Sequence, residues 1–230
     1  MKFENKIAVV TGASSGIGRA IAKKLSAEGC KVALASRNPE KPEELQQQLP
    51  EKSMVVEMDV SLTDSVVSGF KKVNHEMGGI DILVNSAGVM PVTYIKNRHL
   101  DEWLQTVEVN LKGCLRCIYS VLPSMKVKKS GHIVNIASVE GKDIYKGGAV
   151  YGASKAAVIA LSKAMRMELS PEFNIRVTAI APGNLDISIK KDHPDVGWPE
   201  TRDKQHEAVI NTQQIADAVF KALLPPDMAR

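Results

Sequence analysis

Tyr151 and Lys155 stand four residues apart, with Ser138 a short way upstream. On a helix, side chains at that spacing share one face. A free phenol ionises at about pH 10, too high for efficient proton exchange near neutrality. An ammonium beside it favours the phenolate and lowers that value. The trio therefore has the means to move a proton to or from a substrate oxygen, which the Ser138 hydroxyl could bind. Taken alone, the pair fits a half-buried tyrosine beside a solvated lysine equally well.

A second cluster lies near the N-terminus, where Thr11-Gly12-Ala13-Ser14-Ser15-Gly16-Ile17-Gly18 separates an apolar run from an amphipathic segment. Glycine is needed where a backbone turns sharply or must approach a pyrophosphate. The helix that follows offers unpaired N–H groups and a positive dipole to the anion. In that strand-to-helix setting the motif reads as a dinucleotide loop rather than a bare turn. A ribose-binding acid is expected about 20 residues further on. The sequence there is Ala35-Ser36-Arg37-Asn38, with no carboxylate before Glu40. An acid would repel a 2′-phosphate, whereas a guanidinium binds one through two N–H bonds. Arg37, helped by Ser36, argues for NADP(H) over a merely solvated arginine.

These residues need elements to hold them. Apolar runs at Lys6–Val10, Lys31–Ala35, Met54–Glu57, Asp81–Val84, His132–Ile136 and Ile175–Ile180 are expected as strands. Amphipathic stretches at Gly16–Glu28, Pro42–Leu49, Thr63–Met77, Leu100–Val127, Val150–Leu169 and Thr212–Leu223 are expected as helices, the fourth broken near its start. Such alternation implies a parallel sheet covered on both faces. The expectation is one α/β domain of Rossmann type, doubly wound, in three αβα layers. Residues 184–211 are polar, proline-containing and irregular, and read as a substrate loop.

Composition narrows the classes. At 230 residues the chain suits one domain, and 44% hydrophobic with 24% charged residues is ordinary for a soluble globule. The net charge of +4 is spread along the chain, and Lys126-Val127-Lys128-Lys129 reads as a helix end rather than a nucleic-acid patch. Cys114-Leu115-Arg116-Cys117 lacks a second ligand pair and the setting of a redox motif, so all three cysteines, Cys30 included, are read as packing residues. No metal site is expected. The first strand opens at Lys6, leaving no room for a signal peptide, and no apolar run is long enough to span a bilayer. A cytoplasmic protein is expected.

Taken together, the motifs resemble those of the short-chain dehydrogenase/reductase family, in order and over about residues 5 to 224. Thr11 to Gly18 matches its cofactor motif, and Asp59-Val60 its adenine-contacting pair. Asn85-Ser86-Ala87-Gly88 matches N-N-A-G, and Pro182-Gly183 matches the turn after the sixth strand. Asn110, Ser138, Tyr151 and Lys155 fall at its catalytic positions. The resemblance implies that Tyr151 exchanges a proton with the substrate oxygen as hydride moves at the nicotinamide, and that Ser138 orients that oxygen. It implies that Lys155 binds the nicotinamide ribose and depresses the Tyr151 pKa, while Asn110 holds a relay water. It also implies a homodimer or homotetramer, built from the long helix carrying Cys114 and the alanine-rich helix after Tyr151.

Three departures stand out. Ser86 replaces an asparagine, which alters hydrogen bonding beside the fourth strand. A threonine that often follows the Pro-Gly turn is replaced by Ile187, leaving the carboxamide to the backbone of Leu185 and Ile187 or to Ser188. Relatives usually continue into a seventh strand, whereas this sequence runs Leu223-Leu224-Pro225-Pro226-Asp227-Met228-Ala229-Arg230. Either that strand lies outside it or the sheet edge is closed differently. The leading expectation is an NADP(H)-dependent oxidoreductase of small carbonyl compounds or hydroxy acids, similar to the carbonyl and 3-hydroxy acid reductase branch. The alternatives are an NAD-dependent alcohol or hydroxysteroid dehydrogenase and a catalytically poor dinucleotide-binding scaffold.

Overall fold

The computed structural model describes residues 2–185, 195 and 209–225. Its strands are β1 (Ile7–Thr11), β2 (Lys31–Ser36), β3 (Ser53–Glu57), β4 (Ile82–Asn85), β5 (Gly131–Ile136) and β6 (Ile175–Ile180). Its helices are α1 (Gly16–Ala27), α2 (Glu40–Gln46), α3 (Thr63–Met77), α4 (Leu100–Val107), α5 (Gly113–Lys128), α6 (Ala149–Phe173) and α7 (Thr212–Leu223). All six strands run parallel in the order β3-β2-β1-β4-β5-β6. Continuous apolar runs suit such a sheet because both of its faces are covered.

Alternation along each strand divides the core into two halves. Val9, Leu83, Ile133 and Val177 face α3, α5 and α6, where they meet Phe70, Val73, Cys117 and Val121. Ala8, Val10, Leu34 and Val134 face α1 and α7, where they meet Ile21, Leu25, Val219 and Phe220. Each fully buried Leu, Ile or Phe contributes roughly 1.5–3 kcal/mol. All three cysteines lie buried as free thiols within these halves. No helix among the described residues is long and apolar enough to cross a membrane.

The stretch expected as one long helix, Leu100 to Val127, is three pieces. A π-helical turn, Glu108–Lys112, separates α4 from α5 and carries Asn110. Such wide turns re-aim the residues they hold. Here the tertiary contacts of Asn110, described below, offset the weaker local hydrogen bonding. The helix α6 runs past its expected end at Leu169, with Pro171 in its last turn, and stops at Asn174 in the left-handed region. The helix α7 opens with a capping box in which Asn211 and Gln214 bond each other's backbone N–H.

The sequence order of the strands reverses between β2-β1 and β4, so a crevice opens at the carboxyl ends of β1 and β4. The close approach of α1 to the β1 turn depends on Gly18, where an added Cβ would sit 2.3 Å from the Gly12 carbonyl oxygen. Gly69 is equally crowded at 2.4 Å, but by the tip of the Met58 side chain, which can swing aside. Gly18→Ala should therefore cost more than about 2 kcal/mol, whereas Gly69→Ala, offset by better helix propensity, should cost less than about 1 kcal/mol. Urea midpoints of the two variants measure the contrast.

Candidate active site

The loop between β1 and α1 is built for close approach. Gly12 has φ +69°, and a Cβ there would sit 2.9 Å from the Ala87 Cα, so the loop lies directly against the segment after β4. Thr11 ties the two together: its Oγ accepts from the backbone N–H groups of Ser86 at 3.0 Å and Ala87 at 3.1 Å. Ser86, a mild departure from the motif, joins this region through its main chain. Gly16, at φ +51°, has open space where its side chain would be. The α1 N-terminus has no acid in its first turn and no side-chain cap at Ser15. Its N–H groups and dipole remain available to an anion. A dinucleotide pyrophosphate fits this cradle of Gly12, Ser14, Ser15, Gly16, Ile17 and Gly18.

At the end of β2, Arg37 is exposed and Ser36 is buried. The Ser36 hydroxyl donates to the Asn38 carbonyl at 2.6 Å, so it shapes the turn beneath Arg37 instead of offering a free donor. Asp59 lies within electrostatic reach of Arg37. Burial pushes its carboxyl up, but hydrogen bonds from Ser61 and the charges of Arg37 and Arg116 outweigh that and hold it low. Val60 is buried beside it, and its side chain meets Gly113 at the start of α5.

The carboxyl ends of β4, β5 and β6 bring the remaining residues together. Asn85 Nδ2 donates to Asn135 Oδ1 at 2.9 Å, and Asn135 Nδ2 donates to Ser162 at 2.9 Å, linking β4 through β5 to α6. Asn110 is engaged on both sides of its amide. Oδ1 accepts from Val89 N at 2.9 Å, while Nδ2 donates to Val89 O at 2.9 Å and to Ser154 at 3.1 Å. This ties the π-turn to α6 and to the strand-end segment carrying Gly88. Past the ends of β5 and β6, Ala137 N bonds Ile180 O at 2.7 Å and Val139 N bonds Pro182 O at 3.0 Å. Ser138 is thereby set beside Pro182 and Gly183.

Tyr151 and Lys155 do share a face of α6, with the ammonium 5.7 Å from the ring centroid. Lys155 is buried, and its Nζ donates to the Ile136 carbonyl at 2.8 Å. Burial pulls its pKa down to about 8, partly offset by the Cys114 thiol and the Glu140 carboxylate. A small cavity of about 10 Å³ lies between Lys155, Asn110, Asn85 and Cys114, room for one water. Leu185 is engaged in a bridge with Ile210, and Ile187 lies outside the described residues, as does Ser188. Of residues 186–208, Asp195 alone is described. It accepts from Tyr94 N and Asn97 Nδ2 at 2.6 Å and pairs with His99 Nε2 at 2.9 Å.

One buried residue beside the site was not singled out as a catalytic or cofactor-binding candidate. Glu140, in the short turn after Ser138, is 5% exposed and lies beside the serine hydroxyl. Its only signal was an acid two places beyond a candidate serine, which by itself reads as a loop charge.

A doubly wound parallel sheet with a glycine cradle at its switch point is the architecture of a dinucleotide-binding domain. The chain belongs to the short chain dehydrogenase family, which it matches over residues 6–195. An oxidoreductase of Staphylococcus epidermidis is 40% identical over 225 residues, 98% of this chain and 94% of the relative. A metagenomic short-chain oxidoreductase in complex with NADP superposes with a TM-score of 0.84 at 30% identity, covering 99% of this chain and 95% of that one. A xylitol dehydrogenase bound to NAD+ gives 0.77 at 32%, covering 81% and 73%.

The buried ammonium has a thermodynamic signature. Between about pH 8 and 10.5 the unfolded chain holds the Lys155 proton and the folded one does not. Folding stability of the native protein therefore rises across that window relative to Lys155→Met, by about 3 kcal/mol in all, and the gap is flat below it. Urea unfolding of both proteins from neutral pH upward measures this, and a constant gap throughout would contradict the buried charge.

Proposed function

We propose that this oxidoreductase uses NADP(H) to interconvert a small carbonyl compound or hydroxy acid with its alcohol. The observation that carries the cofactor preference is the end of β2, where an exposed Arg37 stands with no carboxylate before Glu40. Arg37 would hold the 2′-phosphate and the α1 N-terminus the pyrophosphate, with Asp59-Val60 at the adenine. Asn85, Ala87, Gly88, Pro182 and Gly183 would line the nicotinamide end, with the backbone of Leu185 and Ile187 nearest its carboxamide. When bound, NADPH supplies the hydride.

The chain's own residues manage the proton. Tyr151 gives one to the substrate oxygen during reduction and takes one during oxidation. The Lys155 charge, one helical turn away, eases ionisation of that phenol, and its ammonium would bind the ribose hydroxyls of the cofactor. Ser138 holds the substrate oxygen in place. Asn110 pins the π-turn against Val89 and Ser154 through its side-chain amide, and would hold the relay water beside Lys155.

The NAD+-bound neighbour keeps an NAD-dependent alcohol dehydrogenase as the second reading. Association into dimers or tetramers is supported by exposed apolar side chains on the helices expected to pair, Leu115 and Tyr119 of α5, with exposed Ala160 and Ala164 of α6. The substrate is a small molecule, not a nucleic acid or a membrane, and a cytoplasmic setting suits free thiols.

Initial rates over a panel of aldehydes, ketones and hydroxy acids, followed by NADPH absorbance, test the assignment. Tyr151→Phe should lose at least about a thousandfold in kcat while cofactor binding is retained. Arg37→Glu should shift the ratio of kcat/KM from NADPH towards NADH by about a hundredfold. Equal use of both cofactors by the unaltered protein would reject the role of Arg37.

A further inference from the structure

The chain that follows β3 soon leaves the sheet. Met58 N bonds the Ser36 carbonyl at 2.9 Å, and the backbone then turns through Asp59 and Val60 into α3. Most bonds of that turn are its own. Ser61 donates to the Asp59 carboxylate through its main-chain N at 2.8 Å and its hydroxyl at 2.6 Å. Asp59 N donates to Ser65 Oγ at 2.9 Å, and Leu62 N donates to the Asp59 carbonyl at 3.1 Å. These bonds fix the shape of the turn but not its place against the neighbouring helix.

Arg116, on α5, supplies the place. A guanidinium is a rigid planar fork whose N–H groups point in fixed directions. Here Nε donates to Thr63 Oγ at 3.0 Å and Nη1 to the Val60 carbonyl at 3.2 Å. Nη2 donates to Glu108 on the π-turn, whose carboxylate is also held by Lys112. Three segments thus meet on one side chain, itself only 17% exposed. Val60 is buried, and a buried carbonyl without a partner is costly. The backbone of α5 closes on the same residue. A Cβ added at Gly113 would lie 2.8 Å from the Val60 side chain and 3.2 Å from its carbonyl oxygen. Among the described residues, Arg116 is the one side chain from outside the turn that hydrogen-bonds to it.

We propose that Arg116 is a positioning residue for the adenine end of the cofactor site, acting through the wall that Asp59 and Val60 form. This rests on the reading above in placing the adenine against that pair. Asn110, on the same π-turn as Glu108, has its own anchors at Val89 and Ser154. The proton-handling cluster therefore does not depend on the guanidinium. Loss of Arg116 loosens one end of the cofactor and spares the other.

The test separates those two ends. Binding of 2′,5′-ADP, which carries the adenine half alone, is measured by calorimetry. The proteins are the native one, Arg116→Met, Arg116→Lys, Thr63→Val and the Thr63→Val/Arg116→Met double variant. Arg116→Met should weaken 2′,5′-ADP about tenfold and raise KM for NADPH to match, the size of one hydrogen bond to a buried carbonyl. At saturating NADPH, its kcat and its KM for the carbonyl substrate should stay within about twofold of native. Arg116→Lys keeps the charge without the fork and should remain at least about fivefold weaker than native. Thr63→Val, at an exposed position, should cost about threefold and gives the same reading should Arg116→Met fail to fold. Added to Arg116→Met, it should cost nothing further. Unchanged 2′,5′-ADP binding in Arg116→Met, native affinity in Arg116→Lys, or a fall in kcat as large as the fall in affinity overturns the proposal alone. A native protein that binds 2′,5′-ADP yet turns over no panel compound rejects the substrate reading and leaves this inference standing. One that binds no 2′,5′-ADP rejects the cofactor reading and this inference with it.

Discussion

The Lys155 ammonium, buried beneath the crevice, donates to the Ile136 carbonyl at 2.8 Å and faces the Tyr151 ring on its own helix. A charge held out of water is tolerable only where surrounding dipoles are fixed. Much of the architecture around it supplies that rigidity. The Asn85–Asn135–Ser162 chain locks β4 and β5 to α6. The Asn110 amide locks the π-turn to the same helix. Loosening any of these would let water reach the ammonium and remove the field it exerts on the phenol.

Topology explains how residues so distant in sequence converge. The parallel sheet delivers every strand's carboxyl end to one edge, and the reversal of order beside β1 opens a gap there. Thr11 spans that gap with its hydroxyl, drawing the backbone after β4 against the glycine loop. The cofactor cradle and the proton-handling cluster are thus two halves of one seam. Each half is held by side-chain bonds to backbone rather than by loops alone.

Much of this could be read in advance because apolar periodicity maps directly onto strands and helices. The bounds of α3, β6 and α7 agree with the expected ranges, and the others differ by a few residues at their ends. The π-turn could not be read this way. It arises from contacts of Asn110 with Val89 and Ser154, which lie far away in sequence, while local periodicity describes only an uninterrupted helix. Ser36 was expected to assist Arg37 directly, yet its hydroxyl satisfies a neighbouring carbonyl, a choice decided by turn geometry. The burial of Glu140 could not be read because it is a tertiary property that the type of a residue does not announce.

The three sulfhydryls carry a further consequence. Burial raises Cys30 and Cys114 to about 12 and Cys117 higher still, so almost none of them is thiolate at neutral pH. Alkylating reagents and peroxides attack thiolates, and the folded molecule should be indifferent to both. Cys114 lines the cavity beneath the Lys155 ammonium. Its rate of chemical labelling is thus a native clock for how often the seam between sheet and helices breathes open.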